Sequence, residues 1–359
     1  MRQIRSALIP LFAVTCLLFI SNPALPKVKV PLTVKVVMTT AYDDNILSYS
    51  PRDLDRFDTN SEVYPSEITT TDDWVNTFGL RVYRDFKLSH HLRFRPYYSG
   101  RISLYSVNQV RNYQYHYLMA RFAYRYRVYL YLQYSYMPGY YLRIYKDRDL
   151  NEYHGCEFDL YRSAVNLRYR LPPYQIEGQV GREYTYYNSF FTEYDAEATI
   201  WGLSGSYQTP LDLDISLGYE LKVSDNVGFK QSDLVTAIDP NEDTEYGDSS
   251  YEEDRFNLDL SYPLPLESTW GWNVSLSLER RLRYYQSDLP FDQDPFHVGR
   301  KDRRDRIEPA ISFSPSPVID IQWSFTYDQR RTESPDPLVP SIKNFVSRTV
   351  KLTVIYQIF

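Results

Sequence analysis

Cysteine is almost absent: Cys16 and Cys156 are the two in 359 residues. Two cysteines cannot build a disulfide framework or a multi-cysteine metal site. Glycine is scarce at 13, and no Gly-rich phosphate loop is present. A basic excess is also missing. The formal charge is −6 and becomes −8 once Arg2 and Arg5 are removed, which does not suit nucleic acid. Beyond residue 24 no apolar run approaches the ~20 residues of a spanning helix. That excludes a helical membrane protein and leaves a strand-built one open.

The first residues have a purpose of their own. Arg2 and Arg5 precede an apolar run from Ala7 to Ile20, and "SNPALP" follows. A charged start, a short apolar stretch and a small-residue exit are the marks of a secretory signal peptide. Cleavage is expected after Ala24, which makes residues 1–24 a leader and 25–359 a single mature domain. The residues flanking Cys16, Thr15 and "LLFI", do not suit a lipoprotein signal.

What the chain has in abundance is alternation. In "LDISLGYELKVS", residues 213–224, Leu213, Ile215, Leu217, Tyr219, Leu221 and Val223 share one parity. Asp214, Ser216, Glu220 and Lys222 share the other. Strand side chains point to alternate faces, so one face is apolar and one polar. "FNLDLSY", "WGWNVSLSLE" and "IDIQWSFTYD" repeat the pattern. Fourteen such segments are expected, near residues 31–42, 73–87, 92–105, 114–124, 128–145, 155–170, 175–187, 195–207, 212–223, 254–262, 270–285, 304–313, 318–330 and 344–359. In "CEFDLYRSAVNLRY" the apolar parity switches between Leu160 and Tyr161, which predicts a bulge there.

The connections sort by length. "LSHH", "RYR", "LPPY", "QTPLD" and "SPSP" are tight, whereas residues 43–72, 224–253, 286–303 and 331–343 form long links. The two kinds fall on opposite ends of an up-and-down meander. An even strand number, short turns at one end and long loops at the other are properties of outer-membrane barrels. The 36 tyrosines cluster at strand ends, as in Tyr97–Tyr98, Tyr140–Tyr141, Tyr186–Tyr187 and Tyr284–Tyr285. Amphipathic phenols suit the boundary between hydrocarbon and water. The predicted fold is therefore all-β, a single antiparallel up-and-down transmembrane barrel of about fourteen strands in a Gram-negative outer membrane.

The leader, the dyad strands and the aromatic end "KLTVIYQIF" resemble Gram-negative outer-membrane β-barrel proteins. "AYDDNIL", residues 41–47, is similar to the start of uncharacterised porin-type barrels and of surface lipoprotein assembly modifier barrels. The resemblance implies export, periplasmic chaperones and insertion by the barrel assembly machinery, with lipid and lipopolysaccharide around the wall. It also implies that Phe359 serves as the assembly signal. The usual Tyr two positions earlier is replaced by Gln357, with Tyr356 one step off.

His90, His91, His116, His154 and His297 have no paired nucleophile signature and are expected to be solvated, so no catalytic residue is assigned. "DPNEDTEYGDSSYEED", residues 239–254, has calcium-loop spacing at Asp239, Asn241 and Asp243. Thr244 stands where glycine is required and Ser250 where the last ligand is required, so neither a metal nor a cofactor is expected. That stretch is expected to be a solvated external loop.

The inward, polar parity carries more. Arg81, Arg93, Arg95, Arg101, Arg121, Arg162 and Arg168 occupy it on early strands. Glu177, Glu197, Asp214, Glu220, Asp259, Glu279, Glu308, Asp320 and Asp328 occupy it on later ones. These predict a lumen with one basic and one acidic wall, and a field across it. Arg outnumbers Lys about threefold, which suits fixed, multiply bonded sites. Tyr83, Tyr97, Tyr105, Tyr117, Tyr129 and Tyr131 share the inward parity and have faces suited to sugar rings. The expected function is a passive, porin-like channel for small polar or sugar-like solutes. The alternatives are an export barrel for lipoprotein or polysaccharide with a periplasmic partner, or a sealed structural barrel.

Overall fold

The computed structural model describes residues 32–59, 67–147, 150–229, 246–266 and 270–358. The expected leader, Phe359 and residues 239–245 of the acidic stretch lie outside the described residues.

Fourteen antiparallel strands follow the chain in order. They are β1 (Leu32–Asp43), β2 (Asp73–Arg84), β3 (Leu92–Tyr105), β4 (Tyr113–Tyr124), β5 (Val128–Asp147), β6 (Glu152–Leu171) and β7 (Tyr174–Tyr187). The circuit continues with β8 (Ala196–Gln208), β9 (Asp214–Asp225), β10 (Tyr251–Leu264), β11 (Gly271–Tyr285), β12 (Lys301–Ser316), β13 (Ile319–Glu333) and β14 (Phe345–Gln357). A two-residue pairing at Phe86–Lys87 prolongs β2 past Asp85. Each strand pairs with its chain neighbours, and β1 also pairs with β14, Val36 opposite Tyr356. The sheet is thus a closed barrel with no free edge. Closure satisfies every ladder within the wall, which is what a bilayer demands of strands.

Alternation decides what each face meets. Leu217, Leu258, Leu278, Ile307 and Tyr327 lie opposite one another across five consecutive strands, β9 to β13. They form a continuous apolar row on the outside, where Leu217 is 60% exposed. Further exposed apolar side chains, among them Leu80, Ile102, Leu132, Leu167, Val180 and Val350, extend it around the barrel. A water-soluble monomer does not carry so extensive an apolar exterior. Aromatic clusters border it. Toward the short turns, Phe94 packs 5.0 Å from Phe122 and Trp272 4.8 Å from Phe313, with Trp323 beyond. Toward the other end, Tyr98, His116, Tyr136 and Tyr161 form a chain of ring contacts. These are the two girdles of a membrane-embedded barrel.

Short turns close one end. The β4–β5 hairpin turns on Arg125 and Tyr126, at φ 51° and 53°, with Arg127 N–H donating to the Tyr124 carbonyl at 3.0 Å. Two positive φ values make this the mirror-image turn whose twist matches the flanking strands. Both ends of the wall lie here, because Ile358 N–H donates to the Val34 carbonyl.

The bulge expected in β6 is located differently. β6 runs unbroken, and the register shifts fall on its partner β5, between Met137 and Tyr140 and between Tyr141 and Arg143. Gly139, at φ +50°, provides the left-handed backbone there. The apolar residues Cys156, Phe158 and Leu160 that suggested a switch keep the inward parity of Arg162. They are apolar because the mouth of the barrel, unlike its middle, is packed by loops.

Candidate functional site

The inward wall is a ladder of charges. Arg95 and Arg121 both reach Asp85, Arg121 at 3.3 Å. Arg162 reaches Glu220 at 2.8 Å and Glu183 at 3.9 Å, and Arg168 donates to Glu177 at 2.5 Å. Glu279 accepts from Arg255 and, at 2.7 Å, from Arg281. Asp259 accepts from Ser277 and Asp320 from Ser314, each at 2.6 Å. Arg93 lies over the Tyr126 ring and Arg101 over that of Tyr115, each at 4.5 Å. Among the described residues Arg81, Arg93 and Arg101 make no ion pair, and Asp214 stands exposed near the turn end.

The two expected walls are not segregated. Later strands carry Arg255, Arg281, Arg283, Arg304, Arg306 and Lys351 beside their carboxylates. Arg304 pairs with Asp328 at 2.6 Å, and Glu308 takes both Arg306 and Lys351 at 3.0 Å. Cross-strand register sets opposite charges side by side, and a residue-by-residue parity reading does not supply that register. Charge therefore alternates along the β8–β13 wall. A cavity of about 540 Å³ sits against it, lined by Ser204, Ser216, Asn257 and Ser277 between the Arg–Glu pairs. The tyrosines of the early strands neighbour one another. Tyr97 lies 6.0 Å from Tyr83 and 5.9 Å from Tyr117, and Arg95 and Arg168 cover Tyr83 and Tyr131. Tyr105 instead packs into the apolar cluster at the mouth.

The mouth is built by loops folding back. After β1, Asn45 holds its own turn: its Nδ2 donates to the Tyr49 and Val346 carbonyls, and Tyr49 N–H donates to its Oδ1. Helix α1 (Pro51–Asp58) starts at Ser50, whose Oγ accepts from Asp53 N–H at 3.0 Å. Ile46, Leu47 and Tyr49 pack against Tyr141 and Ile144 of β5, and Arg143 donates to the Leu47 carbonyl at 3.2 Å. Opposite, Asn226 donates to the Glu193 and Asp195 carbonyls, and Asp248 N–H donates to Asp294. Phe296 packs on Val339 and Ile342 of α2 (Leu338–Lys343). The loops thus form a collar over the lumen.

Beneath the collar lies a second cavity, of about 450 Å³. Residues from β5 and from β7 to β14 line it, so it spans the lumen, and residues 46–48 enter from above. Seven Arg or Lys side chains line it against one carboxylate, Glu183. Tyr194 lies in the collar beside Phe191 and Tyr187. Burial first, and then the neighbouring Glu193 carboxylate, push its phenol well above the ordinary range, so it stays a neutral hydroxyl.

His297 belongs to this mouth and is not solvated. It is buried, its Nδ1 lies 2.9 Å from Asp294 Oδ1, and its ring lies 5.2 Å from that of Tyr285. Ser287 donates to the other Asp294 oxygen at 2.7 Å rather than to the imidazole, so the three do not form a nucleophile relay. His90 and His91 lie in an exposed turn, as expected, whereas His116 and His154 lie toward the loop ends but are not freely solvated: His116 bonds the Tyr98 hydroxyl at 3.0 Å and His154 stacks on Phe190 at 3.9 Å. Tyr246 and Gly247 are buried and residues 248–250 half-buried, so this part of the acidic stretch packs into the collar, whereas Glu252, at the start of β10, is exposed. Among the described residues no cluster of His, Cys, Asp and Glu is arranged for a metal ion.

Arg283, Arg304 and Arg330 share the parity of named residues and were legible on that ground. Arg143 shares the odd parity of Tyr131, because the two one-residue insertions in β5 cancel, whereas Arg111 and Arg300 were hidden by their loops.

A closed fourteen-stranded barrel with an apolar, aromatic-bordered exterior and a charged interior defines an outer-membrane β-barrel protein. No family model and no curated protein matches the chain. Solved structures resemble it at a distance. A bacterial polysaccharide outer membrane secretin matches at 10% identity and TM-score 0.42, over 91% of this chain and 98% of that one. The anion-selective porin of Comamonas acidovorans matches at 8% and 0.44, over 91% and 99%. An outer membrane channel from Pseudomonas putida F1 matches at 11% and 0.44, over 93% and 97%. At these values nothing of their functions transfers, and the class rests on this barrel's own geometry.

Proposed function

We propose that the protein is a passive outer-membrane channel for small polar or sugar-like solutes. One observation carries this reading: the interior encloses cavities of about 540 and 450 Å³ walled by charged and hydroxyl groups, in place of an apolar core. Such a wall favours water and hydrogen-bonding solutes in transit. Arg81, Arg93, Arg95, Arg101, Arg121, Arg162, Arg168, Asp214, Glu220, Asp259, Glu279 and Asp320 are its proposed pore-lining set. The tyrosines of β2 to β5 add flat faces on which sugar rings can stack. The collar sets the size limit.

The test is conductance of the purified, refolded protein in planar bilayers, with liposome swelling for uncharged sugars. Discrete, ohmic unit steps and faster swelling in monosaccharides than in larger oligosaccharides are expected. A barrel that inserts, shows no unit steps and admits no sugar would overturn the reading.

A further inference from the structure

We propose that the mouth cavity beneath the collar is a binding site for a small hydroxylated organic anion of the sugar-acid class. The inference rests on the channel reading for how the solute arrives, and on the cavity alone for what is bound. The first support is orientation. Arg283 and Arg304 line the cavity, while their partners Glu253 and Asp328 do not. Both carboxylates are buried on the same inward face but outside the cavity lining, so the cavity itself meets the cationic member of each pair. The second is residual charge. Arg330 and Arg111 also line the cavity, and among the described residues neither has a carboxylate partner. Arg330 donates to the Lys343 carbonyl at 2.5 Å, and Arg111 to the Leu142 carbonyl and the Tyr140 hydroxyl. Those bonds fix the guanidinium planes without neutralising them.

The third support is the donor inventory. Guanidinium N–H, the Lys222 ammonium and tyrosine hydroxyls face a volume with one anionic acceptor, Glu183. A ligand that satisfies them must be rich in acceptors and carry negative charge. Planar guanidinium groups bind carboxylate through two parallel hydrogen bonds. Tyr251 and Tyr285 are each held by an arginine over the ring, which fixes both aromatic groups at the cavity wall. Glu183, held by Lys222 at 2.6 Å, is placed to accept from a sugar hydroxyl. The volume of about 450 Å³ holds one monosaccharide-sized solute, and residues 46–48 exclude a polymer strand.

The test uses the full refolded chain in detergent, titrated calorimetrically with galacturonate, galactose and inorganic phosphate. The two sugars differ at one carbon, carboxylate against hydroxymethyl. Galacturonate should bind roughly tenfold or more tighter than galactose, and also tighter than phosphate, as one bidentate charged contact allows. Arg330→Gln and Arg111→Gln should each weaken galacturonate roughly fivefold or more, while Arg330→Lys keeps much of the affinity because charge is retained. Heat-modifiable mobility on gels checks that each variant is folded. If a Gln variant fails to fold, the wild-type comparison of the two sugars decides alone. Equal binding of galactose and galacturonate overturns the proposal, and so does phosphate binding as tightly as galacturonate. Unit conductance without galacturonate binding overturns this inference and leaves the channel standing. Galacturonate binding without conductance does the reverse.

Discussion

At the scale of single residues, parity carries the fold. Leu217 and Ser216 are adjacent in β9, yet Leu217 joins the outer apolar row and Ser216 lines the cavity of about 540 Å³. Leu217→Arg places a charge in the hydrocarbon and should cost about 2–4 kcal/mol of folding free energy in liposomes. Ser216→Arg should fold nearly as the parent does, because its side chain meets water and lies near Asp259 in the adjacent strand's register. Denaturant titration of both variants in bilayers checks this, and equal stabilities would mean that β9 is turned the wrong way. This level was legible in advance because a period of two needs no knowledge of partners. The environment of His297 was not. Its burial depends on Asp294, Tyr285 and a collar assembled from loops that no local pattern announces.

At the scale of elements, the fourteen strands could be read directly from alternation, although β6, β10 and β12 each begin three residues before the expected start. The loop after β1 could not. Residues 44–59 mix five apolar residues with four aspartates and two arginines and show no alternation, which reads as a solvated link. In the structure a few apolar residues, Ile46, Leu47 and Tyr49, are enough to bring it into the mouth, because β5 projects a matching apolar and basic surface through Tyr141, Arg143 and Ile144. The register places Arg143 opposite the inward Cys156 but Tyr141 and Ile144 opposite Glu157 and Gly155 on the other face, an arrangement that two bulges at the strand end create and alternation does not announce. If the loop narrows the pore, replacing residues 46–58 by Gly-Ser-Gly should leave the barrel assembled. Unit conductance should then rise roughly twofold or more, since the narrowest section controls flow. Single-channel recordings give the answer, and an unchanged step size would place the loop outside the conducting path.

At the scale of the whole molecule, the issue is how charge is distributed around the lumen. Paired Arg and Glu contribute little net field along β8 to β13, whereas Arg81, Arg93 and Arg101 on β2 and β3 stand without carboxylate partners among the described residues. The mouth adds a cation-rich lining with one carboxylate. A channel built this way should prefer anions, and the preference should come from the early strands and the mouth together. Changing Arg93, Arg95 and Arg121 to Gln removes cations and leaves Asp85 unopposed, so the reversal potential in a salt gradient should move toward cation selectivity. Changing Asp214, Glu220 and Asp259 to Asn or Gln should move it the other way, because Arg162 loses its 2.8 Å partner and Arg255 the Glu220 carboxylate at 3.8 Å. Both shifts should shrink at 1 M salt, where the Debye length is about 3 Å and only charges at the wall still act on a passing ion. Reversal potentials unchanged in both triple variants, with conductance intact, would remove these residues from the ion path and leave the mouth as the sole source of any selectivity.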